Sequence, residues 1–412
     1  KDDAQARMML NRQEGEYAHA AIQARLLTAA NSDNPGHEAL LSFWLNHFSI
    51  YAPKNLDRLL AWDYAQALDA AMAADSFEAL LRASFFHPAM QFYLDNAQST
   101  APDSQAGINA QNHGKSLGIN ENLARELMEL HTLGVGSGYT QADVQALAHI
   151  ITGAGAFVPT MKPEALARAG ATRMGLFLFD PRRHDFGEKH FLGQDFPAGE
   201  GLPEIDRALH LLATNPATAH HISLQLAQRF LQDAPPPALV DAMAHAFLQT
   251  GGKISATLQP LLSSAAFAQS LRHPDKFKEP MDYALSTARA ACGDTPIGNG
   301  LALVGIVQDM GEAPFMHTTP DGYSPEQAAW LSPVTMAKRT RLAMGVAAQR
   351  IPLAAADPNI DTVDKPKGWV AAFKNGQACE INPVVVQQAV GPVGAATQQA
   401  LAGLAAKEQS AV

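Results

Sequence analysis

The sequence predicts a mainly α-helical protein, a multi-helix globular bundle with one small β-hairpin or extended element near residues 175–195. Apolar residues recur at the helical period over several long segments, and helix-capping residues stand just ahead of them. Convincing two-residue alternation, the signature of a half-buried strand, is scarce.

From His37 to Ile50, Leu41, Trp44, Leu45 and Phe48 recur at i, i+3, i+4 and i+7, with Leu40 and Phe43 on the adjacent side. Such a helix is buried over most of its circumference, and His47 on it reads as a satisfied core histidine. Asp95 and Asn96 end an aromatic helix. The stretch Ala97 to Ile119 that follows is rich in Gly, Ser, Asn and Gln, and reads as a long polar loop. A helix then runs from Asn120 to Leu130, and Thr140 with Asp143 forms a capping box for another that reaches Ile151. Leu176 to Phe179 and the region of Phe191 supply the β element. Asn215-Pro216 opens a helix with the stripe Ala219, Ile222, Leu226 and Phe230, stopped by Pro235-Pro236-Pro237. His220 and His221 in its first turns read as structural or surface groups. Ser324-Pro325 repeats the cap ahead of Ala328, Trp330 and Leu331. Residues 1–350 read as one large helical domain. Residues 351–412 read as an irregular segment from Pro352 to Gly368 and a weak C-terminal helical tail from Asn382 to Ala406.

Composition removes several function classes. With 47% hydrophobic and 17% charged residues the chain packs a core and is not disordered. A net charge of −10 disfavours nucleic acid and anionic lipid, which demand clustered Lys and Arg. No apolar run reaches the roughly 18 residues of a transmembrane segment. The two cysteines, Cys292 and Cys379, are too few for a cysteine-rich zinc site. They form one bridge in an oxidising compartment or stay as two free thiols. The string Gly114-Lys115-Ser116-Leu117-Gly118 lies inside the polar stretch with no strand ahead of it and is no nucleophile elbow, and no His-Glu-x-x-His pair, Walker or Rossmann glycine pattern occurs.

Several segments together resemble the bacterial family called domain of unknown function 1800. They are Phe43 to Phe48, Tyr93-Leu94-Asp95-Asn96, Asn120 to Leu133 with Tyr139-Thr140 and Asp143-Val144, His184 to Lys189 with Leu192-Gly193, Asn215 to Ala219, and Pro320-Asp321-Gly322-Tyr323 with Trp330 and Arg339. The resemblance covers roughly residues 35 to 350. Ala154 stands where a Trp usually follows Thr152-Gly153, Tyr323 where the motif usually ends in Trp, and His131 where an aromatic is common. The resemblance implies a helical, bacterial, often exported protein, frequently encoded beside a sulfatase-like partner, and it implies no reaction.

The candidate site rests on two places. On a helix at about 100° per residue, Asn122, Glu126 and Glu129 fall within about 60° of one another, beside the apolar face of Leu123, Leu127 and Leu130. A carboxylate pair there serves as acid and base or binds a divalent cation. The competing reading is a charge ladder, because Glu121–Arg125 and Arg125–Glu129 are both i, i+4 pairs. The second place is His184, Asp185 and Lys189, a base or ligand, an anion and a cation within one turn; its competing reading is a turn cap. One expectation is therefore an exported hydrolase acting on a glycan or anionic ester. Glu126, Glu129, His184 and Asp185 would be catalytic, and Asp95, Asn96, Asn122, Arg125, Lys189 and Tyr323 substrate-binding, in a cleft beneath the 97–119 loop. The other is a non-catalytic cell-surface or periplasmic scaffold whose polar residues form an internal network.

Overall fold

The computed structural model describes residues 2–354 and 377–379. The expected C-terminal helical tail and most of the irregular segment before it lie outside the described residues. The chain is mainly α-helical, with two small antiparallel sheets. It divides into two compact units: Lys1–Arg25, Asn34–Glu279 and Glu312–Leu331 form the first, and Leu26–Asp33, Pro280–Gly311 and Ser332–Val412 the second.

The core of the first unit grows from the Pro35–His47 helix, capped by Asn34, whose side chain accepts from the His37 amide. Trp44, Phe48 and Phe77 lie with ring centroids 5.9 to 6.3 Å apart and are fully buried. Burial of aromatic rings on this scale contributes much of a core's stability. His47 is buried among them, bonded to Gln225 at 2.8 Å and the His131 carbonyl at 3.1 Å, as the sequence suggests. Asn46 on the same helix clamps the Pro320–Tyr323 turn: its Oδ1 accepts from the Tyr323 amide at 2.7 Å and its Nδ2 donates to the Tyr323 carbonyl at 2.8 Å. Gly322 is required there, with φ +67 and the Asn46 carbonyl 2.4 Å from where a Cβ would sit. Two motifs distant in sequence thus form one turn.

Three elements differ from the sequence reading. Asp2–Asn31 is a helix, assigned none in advance because residues 4–13 are exposed and carry no apolar stripe. The 97–119 stretch is not all loop: Ser104 caps a helix over Gln105–Asn112, its Oγ accepting from the Gly107 amide at 3.2 Å. Beyond Ser324-Pro325 the helix is one turn, Gln327–Trp330, and a second cap at Ser332 starts Pro333–Ala347.

The β element is larger than expected. Strands β1 (Ala154–Ala156), β2 (Thr172–Met174) and β3 (Phe177–Phe179) form a sheet in the order β1-β3-β2, and β4 (Lys189–Phe191) pairs with β5 (Gln194–Phe196) as a hairpin. Asp143 serves twice. It completes the Thr140 capping box of the Gln141–Ile150 helix, and its Oδ1 accepts from the Leu192 amide in the hairpin turn at 2.9 Å.

In the second unit, the helices Pro280–Cys292, Gly300–Met310 and Pro333–Ala347 pack together. Cys292 and Cys379 form a disulfide across 87 positions of sequence. Asn31 exchanges two hydrogen bonds with the Ile297 backbone, at 2.8 and 2.9 Å.

Candidate functional site

The Gln141–Ile150 helix carries His149 in its last turn, and Thr152-Gly153 follows. Thr152 Oγ1 donates to the His149 carbonyl at 2.6 Å and accepts from the Asp185 amide at 2.9 Å. Gly153, at φ +80, lets the chain approach the 180–184 segment; a Cβ there would stand 2.8 Å from the Asp180 carbonyl. These contacts bring Asp185 Oδ2 to 2.5 Å from His149 Nδ1. Asp185 Oδ1 accepts from the Gly187 amide at 2.7 Å. Burial pushes the Asp185 carboxyl up, but the Gly187 amide, the His149 ring and the Lys189 charge outweigh it and hold it below the usual range. An ionised carboxylate on Nδ1 fixes the ring's orientation and its Nδ1–H tautomer. Nε2 has no hydrogen-bond partner among the described residues.

This pair lines a cavity of about 560 Å³, within the size range of small-molecule sites. Its walls include Asp103, Ser104 and Gln105 at the start of the Gln105–Asn112 helix, together with Arg182, Phe186 and Gly187. Part of the 97–119 stretch thus borders the space that Asp185 faces. His149 went unmarked in sequence because its partner lies 36 positions away, and neither residue type is distinctive locally.

His184 also touches the cavity wall, yet its ring is sealed. Both nitrogens face oxygens: Nδ1 lies 2.7 Å from the Thr152 carbonyl, and Nε2 lies 3.0 Å from Glu204 and 3.2 Å from the Glu200 carbonyl. Lys189 donates to Glu204 Oε1 at 2.8 Å and to the Asp185 carbonyl at 2.5 Å. Glu204 is fully buried in the first turn of the Leu202–Ala213 helix, where the dipole favours an anion. His184, Lys189 and Glu204 therefore make an internal charge network that holds the base of β4. Glu204, also unmarked in sequence, is its centre.

The Asn122–Glu129 helix stands apart from that network: no hydrogen bond or ion pair joins Glu126 or Glu129 to His184, Asp185 or Lys189 among the described residues. Arg125 bridges Glu121 at 3.3 Å, Glu129 at 3.4 Å and Gln141 at 2.9 Å, so the ladder is present. Asn122 is exposed at the helix start, its amide donating to the Asn120 side chain at 2.8 Å. Glu126 is half-buried; burial, then Glu129 and Asp321, push its carboxyl up against the pull of Arg125. Burial and a hydrogen bond to Glu129 raise the Tyr139 hydroxyl to about 12.

Asn96 is buried, its amide donating to Gln91 at 2.7 Å, which makes it a structural pin. Asp95, at φ +58, pairs with Lys54 at 2.9 Å. Asp57 nearby is fully buried, with neither carboxylate oxygen hydrogen-bonded among the described residues; burial raises it to about 8 against the opposing charge of Lys54. Tyr323 packs against His317 and Trp330, its hydroxyl donating to the Ala313 carbonyl at 3.1 Å. His131 is sealed, with neither ring nitrogen hydrogen-bonded among the described residues, its centroid 5.9 Å from that of His47. Among the described residues no group of three or more His, Cys, Asp or Glu side chains is arranged to hold a metal ion, and no helix is long and apolar enough to cross a membrane.

Fold and site define a helical protein with a His–Asp pair on the wall of a cavity. The chain belongs to the family described as "Protein of unknown function (DUF1800)", whose model matches residues 2–412, beyond the 35–350 core that carried the resemblance. No curated protein and no solved structure matches it.

Proposed function

We propose that this protein is an exported hydrolase that cleaves an ester in the cavity beside His149. The carrying observation is the 2.5 Å contact between Asp185 and His149 Nδ1 on the cavity wall, with Nε2 unpartnered. His149 Nε2 removes a proton from water, whose oxygen attacks the ester carbonyl carbon. The tetrahedral intermediate collapses with cleavage of the acyl C–O bond, and the imidazolium returns the proton to the leaving alkoxide. A carboxylic acid and an alcohol are the products, and Asp185 steadies the imidazolium while it exists. The positive end of the Gln105–Asn112 helix lines the same space and suits a developing oxyanion. The Cys292–Cys379 disulfide supports an oxidising, extracytoplasmic location. On this reading Asp185 keeps the role expected of it, His149 takes the one expected of His184, and Lys189 and His184 support the wall. Glu126 and Glu129 remain a separate acid pair.

The test is His149→Gln on 4-nitrophenyl acetate. The expected loss is about 100-fold or more in kcat/KM, within the usual range for a general base, with the melting temperature unchanged. Equal turnover by the variant refutes the role. A second reading, a non-catalytic cell-surface scaffold, is favoured by the sealed His184–Lys189–Glu204 network and suits the sulfatase-like partner that the family resemblance implies. It predicts no turnover in the wild-type protein.

A further inference from the structure

We propose that the ester group is carried on a neutral sugar whose ring stacks on Phe186, an inference that rests on the hydrolytic reading of the same cavity. Phe186 lines the cavity and remains 43% exposed, an unusual state for a Phe. Its ring packs perpendicular to the buried His184 ring, centroids 4.8 Å apart at 87°, which fixes its orientation on the cavity wall. The electron-rich face of such a ring attracts the weakly positive C–H groups on one side of a pyranose. Around it stand planar polar groups, Asp103 and Gln105, both exposed and with side chains uncommitted to hydrogen bonds among the described residues, suited to pairs of neighbouring hydroxyls. Charge argues against an anionic substrate. Arg182 is the one Lys or Arg among the described lining residues, and Asp180 already grips it at 2.9 and 2.7 Å, while Asp103 and Asp185 are both acidic. A neutral, acylated sugar fits this balance better than a phosphate, sulfate or uronate ester.

Binding separates this inference from the hydrolytic reading. Methyl glucopyranoside, which has no ester, is titrated by NMR into the full-length protein and into Phe186→Ala and Phe186→Tyr. Acetylated methyl glucopyranoside is titrated into the same three proteins carrying His149→Gln. Saturable binding that weakens tenfold or more in Phe186→Ala, and stays within about twofold of the parent in Phe186→Tyr, supports the stacking surface whether or not any ester is turned over. Equal affinity in Phe186→Ala, tighter binding of glucose 6-phosphate than of the neutral sugar, or no binding by a protein that hydrolyses 4-nitrophenyl acetate overturns it. Thermal melts accompany each variant, and the exposure of Phe186 predicts little change.

Discussion

Replacing Lys189 by Met tests the assignment of His184, Lys189 and Glu204 to the scaffold. The Lys189 and Glu204 side chains are 4% and 0% exposed, and their contact is 2.8 Å. Met matches the stem of Lys in volume, so the change removes the charge without opening a large cavity. The Glu204 carboxylate then stays buried beside His184 with one cation fewer. Breaking a buried pair from one side costs about 3–5 kcal/mol. For a unit of several hundred residues that is a fall of about 5–8 °C in melting temperature, because the unfolding entropy grows with chain length. Differential scanning calorimetry of wild type and variant at pH 7 measures it. A fall below about 2 °C would mean that the trio contributes little, and the claim that it holds the base of β4 would fail.

Other outcomes follow from buried groups and the cross-link. His131 is sealed and its ring is held well below the ordinary value by burial and by His47 and His221, with His47 itself lowered to about 3. A depressed group contributes stability that is present above its unfolded value near 6.5 and lost on acidification, so His131→Phe should flatten the stability decline below pH 6.5, read by urea unfolding. Asp57 has the opposite sign: raised to about 8, it contributes most below pH 4 and loses that contribution as pH rises to 8. Asp57→Asn should therefore be the more stable protein at pH 8, and a less stable variant there would contradict the assignment. Cys292→Ser with Cys379→Ser opens an 87-position closure, worth about 4.6 kcal/mol on a chain-entropy basis, and thermal unfolding should show it as a destabilisation that reductant reproduces in the wild type.

Periodicity and caps exposed the helices because each depends on residues only a few positions apart. Thr140 and Asn215 cap where local rules place them. The Asp2–Asn31 helix escaped because nothing packs on its first turns to impose a stripe, and Gln105–Asn112 escaped because its residues look like loop until the Ser104 cap is seen. The candidate pair was legible in one half. Asp185 stood out in its turn, but its partner was sought in the adjacent His184, whereas the chain folds His184 inward onto Glu204 and brings His149 across 36 positions. Only the tertiary fold records that exchange. Helical spacing did place Glu126 near Glu129, since that relation is local, and it could not show what else approaches them.

The most direct measurement is a double-mutant cycle on ester hydrolysis with His149→Gln, Asp185→Asn and the pair. Residues acting as one unit are non-additive, so Asp185→Asn should lower kcat with KM little changed, and adding it to His149→Gln should cost almost nothing more. If the two losses multiply, or if neither substitution slows hydrolysis, the imidazole and carboxylate do not work together and the account of this cavity is wrong.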